Sequence, residues 1–128
     1  MTVLTLEQLL EIHALVVGST GGSAGQRDPG RLEAAIAAQT QNVFGEEMYP
    51  SLTDKAAAMI RGIIADHPFV EGNKRTAILA GLTLLDVNDI YFTAAPGEIE
   101  IFAVKAATDQ LDIPSIVIWL YKHTSANK

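Results

Sequence analysis

Residues 72–85 read GNKRTAILAGLTLL, and this stretch decides the fold. Behind a polar start, apolar residues recur through Ile78, Leu79, Leu82 and Leu85, so nearly every side of a helix here would be hydrophobic. Such a helix is typical of the buried centre of a domain, because a surface helix keeps one polar face. Its apolar part, residues 77–85, is about half as long as a membrane span needs to be. We therefore expect a core helix with other helices around it.

Five more helices are predicted around this centre from three- and four-residue apolar spacing. The first follows Thr5, a favourable N-cap residue, and stops at residues 18–22. The second begins at Asp28-Pro29, where Asp can cap and Pro can take the first helical position, and fades near Gln39. The other three are expected at residues 55–66, opened by Thr53-Asp54, and at residues 96–108 and 114–122.

The connecting segments carry turn signals. Residues 18–30 form a glycine-rich loop, and residues 41–53 read as a loop or a small hairpin. Asn88-Asp89 ends the central helix, Tyr91-Phe92 are briefly extended, and residues 125–128 are expected to be a frayed tail. Six helices without an internal repeat predict one all-α domain that spans residues 1–128.

Composition excludes several classes of protein. With a net charge of −6 and no basic tract, the chain repels phosphodiester backbones, so nucleic acid is not expected as a direct partner. The absence of cysteine excludes disulfides, thiolate metal sites and cysteine nucleophiles. The first residues lack the basic and apolar regions of a signal peptide. We expect a cytoplasmic protein without a membrane segment.

Residues 66–76, DHPFVEGNKRT, place a base, a carboxylate, an amide and two cations in one turn between two helices. Lys74 and Arg75 fall in the first turn of the central helix, where the positive end of the helix dipole disfavours cations unless an anion is bound. Gly72 lacks a Cβ, so the backbone there can approach a ligand closely. A bound phosphate group would account for all three residues.

Chemistry alone suggests a role for each polar residue. Glu71 offers an oxygen ligand for Mg²⁺, Asn73 a hydrogen-bonding amide, and Lys74 and Arg75 charge clamps. His67 suits a general base because its ordinary pKa lies near working pH. Together these residues are suited to phosphoryl or nucleotidyl transfer.

Each residue also has a purely structural interpretation. Glu71 stands at the spacing of helix ion pairs with Lys74 and Arg75, and His67 could favour the negative end of the preceding helix. The remaining structural interpretations are a core anchor for Phe69, a turn glycine for Gly72 and a helix cap for Asn73. Their coincidence in one segment favours a shared functional site.

Residues 67–75, HPFVEGNKR, resemble the signature of the Fic superfamily, His-x-Phe-x-(Asp/Glu)-Gly-Asn followed by a basic tail. Lys74 stands where Fic adenylyltransferases usually have Gly, which is the form of the Doc (death-on-curing) branch. Residues 21–30, 44–50 and 88–92 also look like landmarks of the family. The resemblance thus covers nearly the whole chain.

This resemblance implies a compact helical fold with the motif at the start of the central helix. It implies transfer from ATP·Mg²⁺ to a protein hydroxyl, for Doc toxins a threonine of elongation factor Tu, which halts translation. By this resemblance, His67 has the role of the base and Glu71 that of the metal ligand. The phosphate-binding residues would be Gly72, Asn73, Lys74 and Arg75. Residues 43–51 would be a flap that aligns the target peptide beside the site, its members being Val43, Phe44, Gly45, Glu46, Glu47, Met48 and Tyr49.

Two departures from the family pattern matter. The Doc motif more often has Asp where this chain has Glu71, which shifts the carboxylate by one methylene group. The Ser/Thr-x-x-x-Glu-Gly/Asn pattern of self-inhibiting Fic proteins is absent, so control is expected from a separate Phd-like antitoxin that inserts a helix near the site. Three alternatives stay open: an adenylyltransferase, a catalytically weak antitoxin-binding protein that acts in operon regulation, and a merely structural motif.

Overall fold

The computed structural model of the chain describes residues 1–95 and 97–126. In chain order the elements are α1 (Leu6–Thr20), α2 (Pro29–Ala37), a short 3-10 turn (Ala38–Thr40), β1 (Asn42–Val43), β2 (Glu46–Glu47), α3 (Leu52–Asp66), α4 (Asn73–Asp86), β3 (Ile90–Phe92), α5 (Glu98–Thr108), α6 (Ile113–His123) and β4 (Thr124–Ala126). Within the described residues, the strands form two small antiparallel sheets, β1 with β2 and β3 with β4. The predicted all-α class with six helices is confirmed.

Side-chain caps explain where several helices begin. Thr5 caps α1 in a capping box with Gln8, and Asp28 caps α2 with Pro at its start, both as predicted. The helix α3 and its end at Asp66 are confirmed, but its predicted start was wrong, because Ser51 accepts the hydrogen bond from the Asp54 N–H and the helix begins at Leu52 rather than after Thr53. The predicted starts at Pro96 and Pro114 also shift: α5 begins at Glu98, with Pro96 outside the described residues, and α6 begins at Ile113.

Helix α4 is the centre of the fold, as predicted. Buried apolar side chains from all six helices join one cluster around it, including Leu9, Leu32, Ile60, Leu84, Phe102 and Ile116. Its closest neighbour is α3, and Gly81 allows this close approach, since a Cβ at position 81 would collide with the side chain of Ile60. The pair α3–α4 thus forms a closely packed helical hairpin, and the motif turn connects its two helices.

The two ends of this hairpin differ in what they carry. The turn from Asp66 to Asn73 lies at one end, which we call the motif end. At the other end, the distal end, the N-terminal segment is tied to the bundle: Thr2 exchanges two hydrogen bonds with Asn88, and Leu4 exchanges two with the buried side chain of Gln39. The β1–β2 hairpin follows Gln39 directly and precedes α3, so it lies at the distal end.

The expected frayed tail was partly wrong. Residues Thr124–Ala126 form β4 and pair with β3, with Tyr91 opposite Ser125. Asn127 and Lys128 lie outside the described residues. None of the helices in residues 1–95 and 97–126 combines the length and the hydropathy that a bilayer-spanning segment requires.

Candidate active site

The turn between α3 and α4 has two backbone reversals. His67 follows the last helical residue of α3 and has φ 47° and ψ 59°, the left-handed conformation, which is unusual for a residue with a Cβ. Gly72 precedes α4 with φ 76°, a value that glycine adopts without steric cost. These two reversals fold residues 67–72 across the adjoining ends of both helices.

The inner side of the turn is fixed by buried groups. Phe69 is completely buried, so its predicted role as a core anchor is confirmed. The side-chain amide of Asn73 accepts a hydrogen bond from the N–H of Phe69 at 2.9 Å and donates one to the carbonyl of Phe69 at 3.0 Å. Asn73 is therefore neither a helix cap nor a free amide, because both ends of its side chain hold the turn.

The outer side of the turn is held by residues 21–28, which we call the glycine loop. The N–H groups of Arg27 and Asp28 both donate to the carbonyl of Pro68, at 2.8 and 3.0 Å, and the N–H of Val70 donates to the carbonyl of Gly25 at 3.0 Å. These bonds form a short antiparallel pairing between the loop and the turn. The glycine loop, 40 residues upstream of the motif, is thus one wall of the site.

Two residues that support the turn are not recognisable as such from the sequence alone. His13 of α1 reaches the carbonyl of Glu71 through Nε2, at 2.8 Å. Arg27 reaches the carbonyls of Asp66 and His67 through its guanidinium group. In the sequence, His13 stands at the apolar spacing of the first helix, and Arg27 lies within the family landmark at residues 21–30. A polar residue in an apolar stripe is the signal that could have singled out His13.

A first cleft of about 370 Å³ opens at the start of α4. His67, Gly72, Asn73, Lys74 and Arg75 line it together with two residues of α1. The first N–H groups of a helix have no partner within the helix and point out of its start, and Gly72 has no side chain to cap them. The structure therefore brings the predicted base and the predicted phosphate-binding set together at a helix start suited to an anion.

A second cleft of about 440 Å³ lies against the glycine loop. Its walls are Arg27, His67, Phe69, Val70 and Asn73. His67 and Asn73 are common to both clefts, but the amide of Asn73 is already engaged with the turn. The side chain of His67 is exposed and has no hydrogen-bond partner among the described residues, so it is the titratable group that the two clefts share.

The carboxylate of Glu71 lies beside the glycine loop. A Cβ at position 22 would collide with its Oε2, so Gly22 leaves the space that the carboxylate occupies. The structural interpretation of Glu71 as an ion-pair partner fails within the described residues: its carboxylate forms no ion pair with Lys74 or Arg75, and Arg75 instead contacts Glu100 at 3.3 Å.

The donor set tests whether Mg²⁺ fits this site. Residues 1–95 and 97–126 contain no group of three His, Asp or Glu side chains that could form an all-protein metal cage. Mg²⁺ in nucleotide sites usually uses only one or two carboxylates and takes its other ligands from phosphates and water. The Glu71 carboxylate lines neither cleft, but it lies against Gly22 in the turn that leads into α4, so it could supply one ligand to Mg²⁺ that arrives with a nucleotide.

The predicted target flap lies next to the start of α3. Its hairpin, β1 and β2, adjoins the first residue of α3, whereas His67 follows the last. Helix α3 has 15 residues, so its first residue and His67 are roughly 20 Å apart at 1.5 Å per residue. None of residues 43–49 lines either cleft. The glycine loop instead forms the wall beside the second cleft.

A larger cavity, about 470 Å³, lies between α5 and α6. Its walls include Phe102 and Trp119, whose rings stack at 4.0 Å, and none of residues 66–76. Size alone would favour this cavity, and it also contains a histidine and a carboxylate, His123 and Glu98, which lie 3.9 Å apart. The two clefts at the motif end instead bring together His67 and the signature residues at the start of α4. We therefore assign the candidate active site to the two clefts joined by His67.

Comparison with known proteins shows which family the chain resembles. The Fic/DOC family model matches residues 3–85, which include α1, the glycine loop and the whole motif. A protein named Toxin Doc from Mycolicibacterium smegmatis is 41% identical over 90 residues, 69% of this chain and 69% of the relative. Protein kinase doc from Escherichia phage P1 is 32% identical over 110 residues, 86% of each chain. The chain belongs to the Fic/DOC family.

Proposed function

We propose that this chain is a toxin that transfers the γ-phosphate of ATP to a hydroxyl group of a protein, with elongation factor Tu as the target. The observation that carries the proposal is the position of His67 in the walls of both clefts. A transferase needs its base between the donor and the acceptor, because the base must reach the attacking hydroxyl while the donor lies in line with it. The names of the two relatives, a toxin and a protein kinase, support the same activity.

In this proposal the first cleft binds the phosphates. The N–H groups at the start of α4 and the side chains of Lys74 and Arg75 stabilise their negative charge. Glu71 would hold Mg²⁺, which supplies further positive charge to the phosphates when it is bound. Asn73 contributes indirectly, because its amide fixes the turn that shapes the cleft.

The second cleft would receive the acceptor. The target hydroxyl oxygen forms a bond to the γ-phosphorus, and the bond from that phosphorus to the bridging oxygen of ADP breaks. The hydroxyl proton passes to the imidazole of His67. The glycine loop would contact the target chain, since it forms the wall on this side.

Lys74 favours transfer of the γ-phosphate over transfer of AMP. It is exposed and lines the first cleft, and its side chain occupies space that a glycine would leave open for the phosphates. The family resemblance associates a lysine here with the kinase branch and a glycine with adenylyltransferases. The reaction would take place in the cytoplasm, and a separate antitoxin would control it by placing a helix near the clefts.

Intact-mass spectrometry of elongation factor Tu, after incubation with this protein, ATP and Mg²⁺, tests the proposal. We expect a gain of one phosphate group, slowed by about 10²–10⁴-fold in His67→Ala because a general base contributes that much. Lys74→Met should also slow transfer, whereas Lys105→Met, which removes a lysine from the α5–α6 cavity, should not.

The other outcomes separate the alternatives. A gain of AMP would identify an adenylyltransferase, and no gain with retained toxicity in a bacterial host would exclude elongation factor Tu as the target. Unchanged toxicity of His67→Ala would exclude both enzymatic reactions. For the antitoxin, the protein encoded beside this chain should stop transfer and protect the amides of the glycine loop from hydrogen exchange.

A further inference from the structure

The backbone of His67 is held in a conformation that its own sequence disfavours. The left-handed region is unfavourable for a residue with a Cβ, and the following Pro68 disfavours the right-handed helical region as well. Left to itself, His67 would therefore adopt extended backbone. Its observed φ of 47° is set partly by the end of α3, where the His67 N–H donates to the carbonyl of Ile63, and a contact from elsewhere in the chain fixes it further.

That contact comes from the glycine loop. The guanidinium group of Arg27 donates to the carbonyl of His67 through Nε at 2.7 Å and to the carbonyl of Asp66 through Nη2 at 2.5 Å. These carbonyls belong to the end of α3, where carbonyl groups lack partners within the helix and the dipole favours a cation. Because one planar guanidinium group donates to two consecutive carbonyls, it fixes the orientation of the peptide units on both sides of His67.

The main chain of Arg27 is held against the same segment. Its N–H and that of Asp28 donate to the carbonyl of Pro68. The three consecutive carbonyls of residues 66–68 thus all accept hydrogen bonds from Arg27, and that of Pro68 also accepts one from Asp28. The position of the histidine depends on the glycine loop as much as on α3.

We propose that Arg27 is a positioning residue for His67, which keeps the imidazole at the junction of the two clefts. The inference rests on the proposed role of His67 as the general base. A misplacement of about 1 Å can slow an enzyme by about 100-fold. Loss of Arg27 should therefore lower kcat more than it lowers nucleotide binding.

Arg31 provides a matched control in the same region. Its guanidinium group contacts the carboxylates of Asp28 and Asp66, at 3.9 and 3.6 Å. Within the described residues its side chain forms no hydrogen bond to the carbonyls of residues 66–68, whereas that of Arg27 forms two. Arg27→Gln and Arg31→Gln thus remove the same charge from the same surface. Only Arg27→Gln also removes the guanidinium hydrogen bonds to the carbonyls of Asp66 and His67.

The experiment measures kcat for transfer to elongation factor Tu, KM for ATP and, by NMR of the free protein, the backbone φ of His67. For Arg27→Gln we expect kcat to fall by roughly 10- to 100-fold, KM for ATP to change by no more than about 2-fold, and φ to leave the left-handed region. Arg27→Lys keeps a cation but lacks the planar guanidinium group, so it should recover part of kcat. It also keeps the proposal testable if the glutamine variant misfolds. Arg31→Gln should keep wild-type kcat and φ.

Three results would overturn the positioning role. They are equal losses of kcat in Arg27→Gln and Arg31→Gln, a raised KM for ATP with kcat unchanged, and a left-handed His67 in Arg27→Gln. If wild-type protein transfers nothing to elongation factor Tu, the proposed target fails. The NMR measurement then decides on Arg27 by itself, because it needs no substrate.

Discussion

The imidazole of His13 lies flat against the ring of Phe69, with ring centroids 3.6 Å apart and planes inclined by 7°. The same imidazole contacts the carbonyl of Glu71. Because a carbonyl oxygen can only accept, Nε2 of His13 must carry the proton in this bond. One side chain of α1 therefore supports the motif turn at two points, by stacking and by a hydrogen bond.

These two contributions can be separated by substitution. His13→Phe keeps a ring against Phe69 but leaves the Glu71 carbonyl without its donor, so we expect a loss of about 1–2 kcal/mol in the free energy of unfolding. His13→Ala also removes the stacked ring and leaves a cavity, and should cost about 3 kcal/mol or more. Urea unfolding of both variants measures the difference. Equal losses would show that the stacked ring does not stabilise the turn.

Local signals in the sequence predicted much of the fold. The apolar stretch at residues 77–85 identified the central helix, and Thr5 and Asp28 identified two helix starts, because caps and periodicity act over a few neighbouring residues. The motif at residues 67–75 likewise identified one segment of the site. Such features depend on residues that are close in sequence.

Features that depend on distant residues were not predictable in this way. Arg27 meets His67 across 40 positions, and His13 meets Glu71 across 58. The distal position of the hairpin follows from the course of α3, and β4 exists only because it pairs with β3. Each of these features depends on how the helices pack together. The spacing of residues along the chain does not reveal that packing.

Gly22 provides a test of where the Glu71 carboxylate lies. Gly22→Ala would push Oε2 of Glu71 away from the glycine loop. Residues that orient a metal ligand typically contribute 10- to 100-fold to affinity, so we expect roughly 10-fold weaker binding of ATP in the presence of Mg²⁺. Gly18→Ala is the control, since open space surrounds that position in α1. Calorimetric titration with and without Mg²⁺ measures the effect, and equal affinity of the two variants would argue against this position of the carboxylate.

Two glycines within helices should respond to alanine with opposite signs. Gly81 lies where α4 meets Ile60 of α3, and an added methyl group would overpack that contact. Overpacking costs about 1–3 kcal/mol, partly offset by the higher helix propensity of Ala, so Gly81→Ala should destabilise the protein by about 1 kcal/mol. Gly62 of α3 has open space around it, and Gly62→Ala should stabilise by about 0.5–1 kcal/mol. Thermal unfolding measures both, and stabilisation by Gly81→Ala would show that α3 and α4 can move apart at little cost.

The tip of the β1–β2 hairpin contains an unfavourable residue for its turn. Phe44 and Gly45 connect the paired residues Val43 and Glu46, and both have positive φ, 53° and 82°. Two-residue turns of this kind prefer Asn followed by Gly, because Asn tolerates the left-handed region better than an aromatic residue does. The side chain of Phe44 is fully exposed, so it gains no packing in return.

Phe44→Asn should therefore tighten the hairpin. We expect it to stabilise this segment by roughly 0.5–1 kcal/mol. Phe44→Ala, which removes the same aromatic ring without supplying the preferred residue, should have a smaller effect. The N–H of Met48 reports on the change, because it donates to the carbonyl of Gln41 at 2.9 Å and closes the hairpin. Its hydrogen exchange should slow in Phe44→Asn, and faster exchange in that variant would mean that the aromatic ring stabilises the hairpin after all.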